Sequence, residues 1–313
     1  MSTIEQSEVG VGTAVAAGRR TRRGRGPSGS SNWWRHLVGI IFVLWALFPA
    51  AYVVSAAFNA DQTLTGASLI PRSVTLDNFR EIFSTEVREG EPTSNYLRWY
   101  ANSIVVPGAV ALFSVFLGAL AAYAFSRFRF KGRRMGMLTL LLIQMFPQIL
   151  LVVSIYLIVL QTGDVFPPLG LNALTALVVV YLGGAMGVNT WLMKGFFDTI
   201  PAELDESARV DGATPAQIFW GVVLPLAAPV LAVVGLISWI FTLNEFVLAS
   251  ALLETSDKFT LAVGLQGFID DDYARQWGPF AAGVLLAAIP LIVFFLALQR
   301  FIVHGLTSGA VKG

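Results

Sequence analysis

The stretch IVVPGAVALFSVFLGALAAYAF, residues 104–125, runs without a single charged side chain. A helix needs roughly 20 predominantly apolar residues to cross a hydrocarbon core of about 30 Å. Lipid offers no hydrogen bonds, so a spanning segment must satisfy its own backbone groups. The stretch is therefore predicted to be a transmembrane helix.

Similar apolar stretches recur along the chain, at 37–57, 135–160, 171–193, 227–253 and 280–298. Of the 313 residues, 55% are hydrophobic and 13% are charged, with a mean hydropathy of +0.68. This composition excludes an ordinary soluble domain. The sequence predicts an all-α integral membrane protein with six transmembrane helices, kinked at Pro49, Pro147 and Pro290.

The positions of Lys and Arg predict the orientation, because these residues favour cytoplasmic loops. Basic residues precede the first span and separate the second from the third: Arg19, Arg20, Arg22, Arg23, Arg25 and Arg35, then Arg127, Arg129, Lys131, Arg133 and Arg134. The alternate loops are acidic, with Asp77, Glu81, Glu86, Glu89 and Glu91 after the first span and Asp270, Asp271 and Asp272 after the fifth. Both termini are thus predicted to be cytoplasmic.

The same pattern divides the chain into segments. Residues 1–35 are predicted to be a disordered basic cytoplasmic tail that can meet anionic membrane lipid, and not a targeting peptide, since five more spans follow. Residues 36–303 form the membrane domain, with an extracytoplasmic loop at 58–99. Residues 304–313 form a cytoplasmic C-terminal tail.

Several kinds of chemistry are excluded by what the sequence lacks. Cysteine is absent and the only histidines are His36 and His304, which argues against disulfides and metal sites. No G-x-x-x-x-G-K-[ST] phosphate loop occurs, so the chain is predicted to hold no nucleotide. No catalytic constellation is present. We expect neither an enzyme nor a nucleic-acid-binding protein, and no cofactor in this chain.

The segment KGFFDTIPAELDESARVDGATPAQIFWGVVLP at 194–225 is predicted to be a helical hairpin. Pro201 favours a helix start, and the acids Glu203, Asp205 and Glu206 oppose the helix dipole. Gly212 can adopt the left-handed conformation that ends this helix, and Thr214 with Gln217 forms a capping box for the next. Such a punctuated, charged segment indicates a surface for another protein, with a merely solvated loop as the alternative.

This hairpin resembles the EAA motif, which is usually written as EAA, three residues, G, nine residues, I, one residue, LP. The matching residues are Glu206, Ala208, Gly212, Leu224 and Pro225, while Ser207 replaces the first alanine and Val222 replaces the isoleucine. The motif marks the membrane subunits of binding-protein-dependent ABC importers. The resemblance implies a type I ABC importer permease whose hairpin docks on an ATPase through Glu203, Glu206, Ala208, Asp211, Gly212, Leu224 and Pro225.

Shorter motifs resemble the smaller permease of maltose and maltodextrin importers. They are AAYAFSRFRFKGRR at 121–134, IQMFP at 143–147, YLGG at 181–184, LAVGLQ at 261–266 and GLTSGAVKG at 305–313. The resemblance implies that the loop with Glu254, Thr255, Ser256 and Asp257 meets the sugar-binding protein. It also implies that the tail, with Thr307, Gly309, Lys312 and Gly313, inserts between two ATPase subunits.

Glu245, beside Asn244, is charged at membrane depth and should face the bundle interior or a partner. Two interpretations remain open at this stage. The pair is a polar element of the translocation path or gate, or Glu245 is a buried carboxylate bonded to a neighbouring helix or to the other permease.

The resemblance implies a permease in a bacterial or archaeal plasma membrane that imports maltodextrin or a related oligosaccharide. Its partners would be a second homologous permease, two ATPase subunits that hold ATP and magnesium, and an extracytoplasmic sugar-binding protein. The alternatives are a permease for another sugar or polyol and an ion-coupled secondary transporter.

Overall fold

A computed structural model describes residues 33–60, 71, 73–84, 94–270 and 276–310, the last ten by backbone alone. All regular structure in these ranges is helical, apart from an isolated bridge between Asn59 and Val74. The α-helices are α1 Trp33–Phe58, α2 Asp77–Ser84, α3 Tyr96–Arg127, α4 Arg133–Gln144, α5 Gln148–Val165, α6 Leu174–Phe197, α7 Ala202–Val210, α8 Pro215–Ile218, α9 Leu224–Leu226, α10 Ala228–Leu243, α11 Val247–Leu252, α12 Leu261–Gln266 and α13 Trp277–Ala310.

Within the described residues, five helices are long and apolar enough to cross a membrane: α1, α3, α5, α6 and α13. A sixth candidate is the bent pair Pro215–Leu226 and Ala228–Leu243, whose two parts meet at 77°. The all-helical class is therefore confirmed, with five spans or six according to how the bent pair is counted.

The predicted third span, 135–160, with its kink at Pro147, is divided into two separate helices. The chain breaks between α4 and α5, where Pro147 is extended at φ −62° and ψ 115°. Proline lacks an N–H and disfavours helical backbone in the residue before it, which explains why the helix stops here. Pro49 and Pro290, by contrast, lie inside the uninterrupted helices α1 and α13.

The predicted fifth span, 227–253, is also interrupted. Its first part, α10, ends at Leu243, and α11 begins at Val247 after a three-residue turn. Asn244 closes α10, because its side-chain amide donates to the Ile240 carbonyl at 2.8 Å. A polar pair within an apolar run thus ends one helix and begins another.

The bounds of the other predicted segments also shift. Trp33 to Arg35 begin α1 and are not part of a tail, and residues 96–99 belong to α3 and not to the preceding loop. The last helix runs on to Ala310, through most of the predicted C-terminal tail. Residues 1–32 of the N-terminal segment, and residues 61–70, 72 and 85–93 of the loop after α1, lie outside the described residues.

Two large clusters of buried side chains pack helices in the range α3 to α12 against one another, and a smaller one packs Ala56 and Ala57 against Ala281 and Ala282. One large cluster joins α3, α6, α11 and α12 around Trp99, Leu177 and Leu252. The other large cluster joins the ends of α3 and α6 to the hairpin through Ala122, Phe197 and Ile218. The hairpin is therefore packed against the ends of α3 and α6 and does not project from them as an unsupported loop.

Between these clusters, buried polar groups connect three helices at membrane depth. The Asn189 amide donates to the Ser238 hydroxyl at 2.8 Å, and the Ser114 hydroxyl lies 3.3 Å from the same oxygen. All three side chains are buried. Such interhelical hydrogen bonds stabilise packing in lipid, where water does not compete.

Candidate coupling and translocation site

The hairpin has the turn geometry that the sequence predicts. Gly212 has φ +85°, its N–H donates to the Arg209 carbonyl at 3.0 Å, and the Ala213 N–H donates to the Ala208 carbonyl at 2.9 Å. This pair of bonds after a left-handed glycine is the Schellman motif that ends a helix. The turn fixes the direction in which the chain leaves α7.

The second arm begins with the predicted capping box. The Gln217 N–H donates to the Thr214 hydroxyl at 3.3 Å, and the Thr214 N–H donates to the Gln217 side-chain oxygen at 2.8 Å. Pro215 occupies the first turn, where no N–H is needed. After α8, one π-helical turn at Phe219–Val223 leads into α9 and the bend before α10.

The outer surface of the hairpin combines acids with exposed apolar side chains. Glu203, Glu206 and Asp211 are exposed, and Ala208 is half-buried. Val210 is 87% exposed and Leu204 is 42% exposed. Leu224 and Pro225 lie in α9, next to the bend before α10, where Leu224 packs against the cluster under the hairpin and Pro225 is exposed. Apolar side chains among charges are typical of a protein-contact surface.

A buried ion pair attaches the hairpin to α3, and the sequence analysis missed it. The Arg127 Nε lies 2.8 Å from an Asp205 carboxylate oxygen, with side-chain exposures of 9% and 4%. Arg127 also donates to the Ile200 carbonyl at 2.9 Å. From the sequence, Arg127 is predicted to lie in a basic loop and Asp205 to lie in the first turns of a helix, where an acid opposes the helix dipole. Only the tertiary fold brings the two side chains together.

A second polar contact lies beside the Arg127–Asp205 ion pair. Asp198, at the end of α6, accepts hydrogen bonds from Lys194 and from the Ser126 hydroxyl. Partial burial raises the pKa of Asp198, but these bonds and the charges of Lys194 and Arg133 outweigh it, so the pKa lies below its ordinary value. Asp198 thus stays ionised and bonds the end of α6 to α3.

A cavity of about 790 Å³ lies between the α4–α5 break, α6 and the end of α10. Its polar wall includes Gln148, Asn189, Thr242 and Glu245. No described residue forms a hydrogen bond with the Gln148 amide, which lies against the backbone at Gly184. Concave sites with a few polar groups among apolar ones are typical of ligand-binding sites.

Glu245 is both a structural group and part of the cavity wall. Its carboxylate accepts hydrogen bonds from the N–H groups of Leu248 at 2.9 Å and Ala249 at 3.1 Å, and from the Tyr181 hydroxyl on α6. It therefore caps α11 and links that helix to α6. Asn244 is exposed and does not line the cavity, so the structure separates the two predicted path residues.

The loop that follows α11 is fixed to α3 and to Asn172. The Trp99 indole N–H donates to the Ser256 carbonyl at 2.6 Å, and the Asn102 amide donates to the Phe259 carbonyl at 2.9 Å. The Asn172 side-chain oxygen accepts from the N–H groups of Glu254 and Thr255, both at 3.1 Å. The loop is a fixed projection and not a free connection.

Within this loop the predicted contact residues differ in exposure. Glu254 and Thr255 are exposed and Asp257 is partly exposed, but Ser256 is 3% exposed and supports the loop from within. The Thr255 hydroxyl donates to Asp257 at 2.6 Å. This bond, opposed by burial and assisted by Lys258 and Arg98, lowers the pKa of Asp257.

The predicted ATPase-contact tail is described only in part. The backbone of Thr307 and Gly309 is helical, as the end of α13. Lys312 and Gly313 lie outside the described residues.

Comparison with known proteins begins with a family model. The family of "binding-protein-dependent transport system inner membrane component" matches residues 114–308. This range contains the hairpin, the cavity wall and the loop after α11.

Full-length relatives extend the match towards the N-terminus. The galactooligosaccharides transport system permease protein GanQ of Bacillus subtilis is 38% identical over 267 residues, 85% of this chain and 90% of that protein. The maltose/maltodextrin transport system permease protein MalG of Escherichia coli K12 is 39% identical over 283 residues, 89% of this chain and 95% of that protein.

A solved structure supports the fold. A chain of a bacterial ABC transporter involved in the import of the acidic polysaccharide alginate superposes with a TM-score of 0.68 at 24% identity, covering 87% of this chain and 98% of that one. The chain belongs to the family of inner membrane components of binding-protein-dependent transport systems, and it is a non-catalytic permease subunit of an ABC importer in which a separate subunit hydrolyses ATP.

Proposed function

We propose that the chain forms one half of the path of an oligosaccharide importer, with maltodextrin or a related neutral oligosaccharide as its substrate. The names of two relatives, a galactooligosaccharide and a maltose/maltodextrin permease, support this class. Other sugars or polyols of similar size are the alternative within the family.

The observation that carries the proposal is the hairpin. Its two arms are fixed by the turn at Gly212 and by the Thr214–Gln217 capping box. Its outer surface leaves Val210 and the nearby acids without cover from described residues. A rigid, partly apolar projection suits docking on an ATPase, whose closure would move the hairpin as a rigid body.

Movement of the hairpin would reach the membrane part through two connections. One is the Arg127–Asp205 pair, which joins the hairpin to α3. The other is the bend before α10, the helix that leads to the cavity at Thr242 and to Glu245. We propose that a second permease covers the open side of this cavity and that sugar passes between the two subunits.

The remaining partner surfaces follow from the same assignment. Glu254, Thr255 and Asp257 would contact an extracytoplasmic sugar-binding protein, and the end of α13 with the residues after it would contact two ATPase subunits carrying ATP and magnesium. In the membrane we propose six spans, counting the bent pair as one, with both termini in the cytoplasm. The location would be the plasma membrane of a bacterium.

The test is uptake by the complete transporter in proteoliposomes with labelled maltotriose. Uptake should require ATP inside the vesicles and the binding protein outside. Competition with unlabelled galactooligosaccharide would identify the preferred sugar. Uptake that follows an ion gradient without ATP would support a secondary transporter instead and would overturn the proposal.

A further inference from the structure

A second cavity, of about 670 Å³, lies where α4 begins against α6. It shares no lining residue with the translocation cavity. Basic side chains from both helices line it, namely Arg133 and Arg134 on α4 and Lys194 on α6. None of the described residues that line it is acidic.

The positive charge at this cavity is only partly neutralised. Lys194 pairs with Asp198, which lies one turn further along the chain. Arg133 donates to the neutral carbonyl of Ser126 at 3.4 Å, so its charge is not cancelled by that bond. No described residue forms an ion pair with Arg134, which is exposed. The cavity therefore retains an excess of positive charge.

The remaining wall of the cavity is apolar. Met135 is 66% exposed and Leu138 is 43% exposed, and Trp191, 49% exposed, faces the cavity from α6. Tryptophan collects at the level of the lipid headgroups, where one side of its ring meets hydrocarbon and its N–H meets water. A cationic mouth above an apolar wall matches a ligand with an anionic head and a hydrocarbon tail.

We propose that this cavity binds the headgroup of an anionic phospholipid, with its phosphodiester at Arg134 and Arg133 and the upper acyl chain along Met135 and Leu138. Basic pockets between membrane helices bind such headgroups, and clustered Lys and Arg residues attract anionic lipid. The site adjoins the end of α6, where Asp198 accepts a hydrogen bond from Ser126. Ser126 precedes Arg127, which forms the ion pair with Asp205 in the hairpin. It is independent of which sugar is transported.

The test uses the assembled transporter, with the full-length chain, extracted from native membrane and examined by native mass spectrometry. Wild-type permease should retain phosphatidylglycerol in preference to phosphatidylcholine. Arg134→Gln should reduce phosphatidylglycerol retention at least fivefold, and Arg134→Lys should restore most of it. Arg129→Gln is the matched control, because Arg129 is an exposed cation in the loop just before α4 and does not line the cavity.

A second variant, Leu138→Asp, keeps the cations but places a charge on the apolar wall, and it should also reduce retention. Equal retention in wild type and Arg134→Gln overturns the proposal, as does equal binding of phosphatidylcholine. Displacement by soluble glycerol phosphate at millimolar concentration also overturns it, because a simple phosphate site would not use the apolar wall. Lower recovery of the second permease with lipid retention unchanged assigns the surface to that partner instead.

Discussion

At Gly212 the backbone adopts φ +85°, a conformation that costs a residue with a side chain about 1–2 kcal/mol. Replacement by valine, which is β-branched, should open the turn and misplace α7. We expect Gly212→Val to leave the permease in the membrane but to lower uptake per ATP hydrolysed in the reconstituted transporter. Gly212→Asn is the control, because asparagine tolerates the left-handed conformation. Equal coupling in the two variants would refute the role of the turn.

A second glycine matters for a different reason, the close approach of a glutamine. A Cβ added at Gly187 would lie 2.7 Å from the Gln144 side-chain nitrogen and 2.9 Å from its Cγ. Gly187→Ala should displace Gln144 and break its hydrogen bond to the Gly184 carbonyl, at a cost of about 1–2 kcal/mol. Thermal unfolding of the purified permease, followed by intrinsic fluorescence, measures the loss.

Gly195 on the same helix provides the control, because a Cβ there meets nothing within 4 Å. Gly195→Ala should be neutral or stabilise the helix by up to about 1 kcal/mol. If both variants lower the unfolding temperature equally, close packing at Gly187 is not the cause.

Sequence patterns identified residues whose roles are local. The turn at Gly212 and the Thr214–Gln217 capping box each depend on neighbours a few positions away, so their spacing reveals them. Asp205 could not be assigned in this way. Its partner Arg127 is distant in sequence, and its burial depends on how the hairpin packs under α3.

At the scale of elements, the Arg127–Asp205 pair joins the hairpin to the membrane helices. Asp205→Asn should leave the Arg127 guanidinium buried without a counter-charge, which costs about 3–5 kcal/mol. We expect a lower unfolding temperature and weaker coupling of hydrolysis to uptake. Arg80→Gln, in an exposed pair with Asp77, should cost about 0–1 kcal/mol.

A double substitution separates the effect of the charges from the effect of packing at the Arg127–Asp205 ion pair. Arg127→Met with Asp205→Leu removes both charges and should recover much of the stability lost by Asp205→Asn alone. Recovery of stability without recovery of coupling would show that the ion pair itself transmits the movement. Additive losses of stability from the two sites would contradict a direct interaction.

The loop after α11 should lose stability in acid. The pKa of Asp257 is lowered in the folded state, so its contribution is complete above the ordinary aspartate value of about 4 and is lost as the pH falls through the folded value. The unfolding temperature of the wild type should therefore fall more steeply below about pH 4 than that of Asp257→Asn. Parallel curves for the two proteins would contradict this contribution.

Hydropathy located the spans but not their interruptions, although Pro147 predicted a kink at the first of them. The runs at 135–160 and 227–253 are apolar throughout most of their length, so an average over each run hides the polar residues that end a helix. Pro147 breaks the first run, and Asn244 with Glu245 breaks the second. Both interruptions line the cavity, at Pro147 and at Glu245, and irregular backbone at membrane depth is tolerated where it lines a cavity.

At the scale of the whole molecule, the number of spans decides on which side of the membrane the C-terminus lies. Five spans place the two termini on opposite sides, whereas six, with the bent pair crossing, place both on the same side. The basic segment before α1 and the one between α3 and α4 predict that this side is the cytoplasm.

Single-cysteine labelling tests this arrangement directly, because the natural chain contains no cysteine. In intact cells a membrane-impermeant maleimide should label Ser73→Cys and Glu254→Cys. It should label Ser2→Cys, Lys131→Cys and Lys312→Cys only after the membrane is opened, with equal expression and retained uptake as the control. Labelling of Lys312→Cys from outside would mean that the bent pair turns back without crossing. The hairpin and the C-terminus would then lie on opposite sides, and the tail could not reach the ATPase that the hairpin contacts.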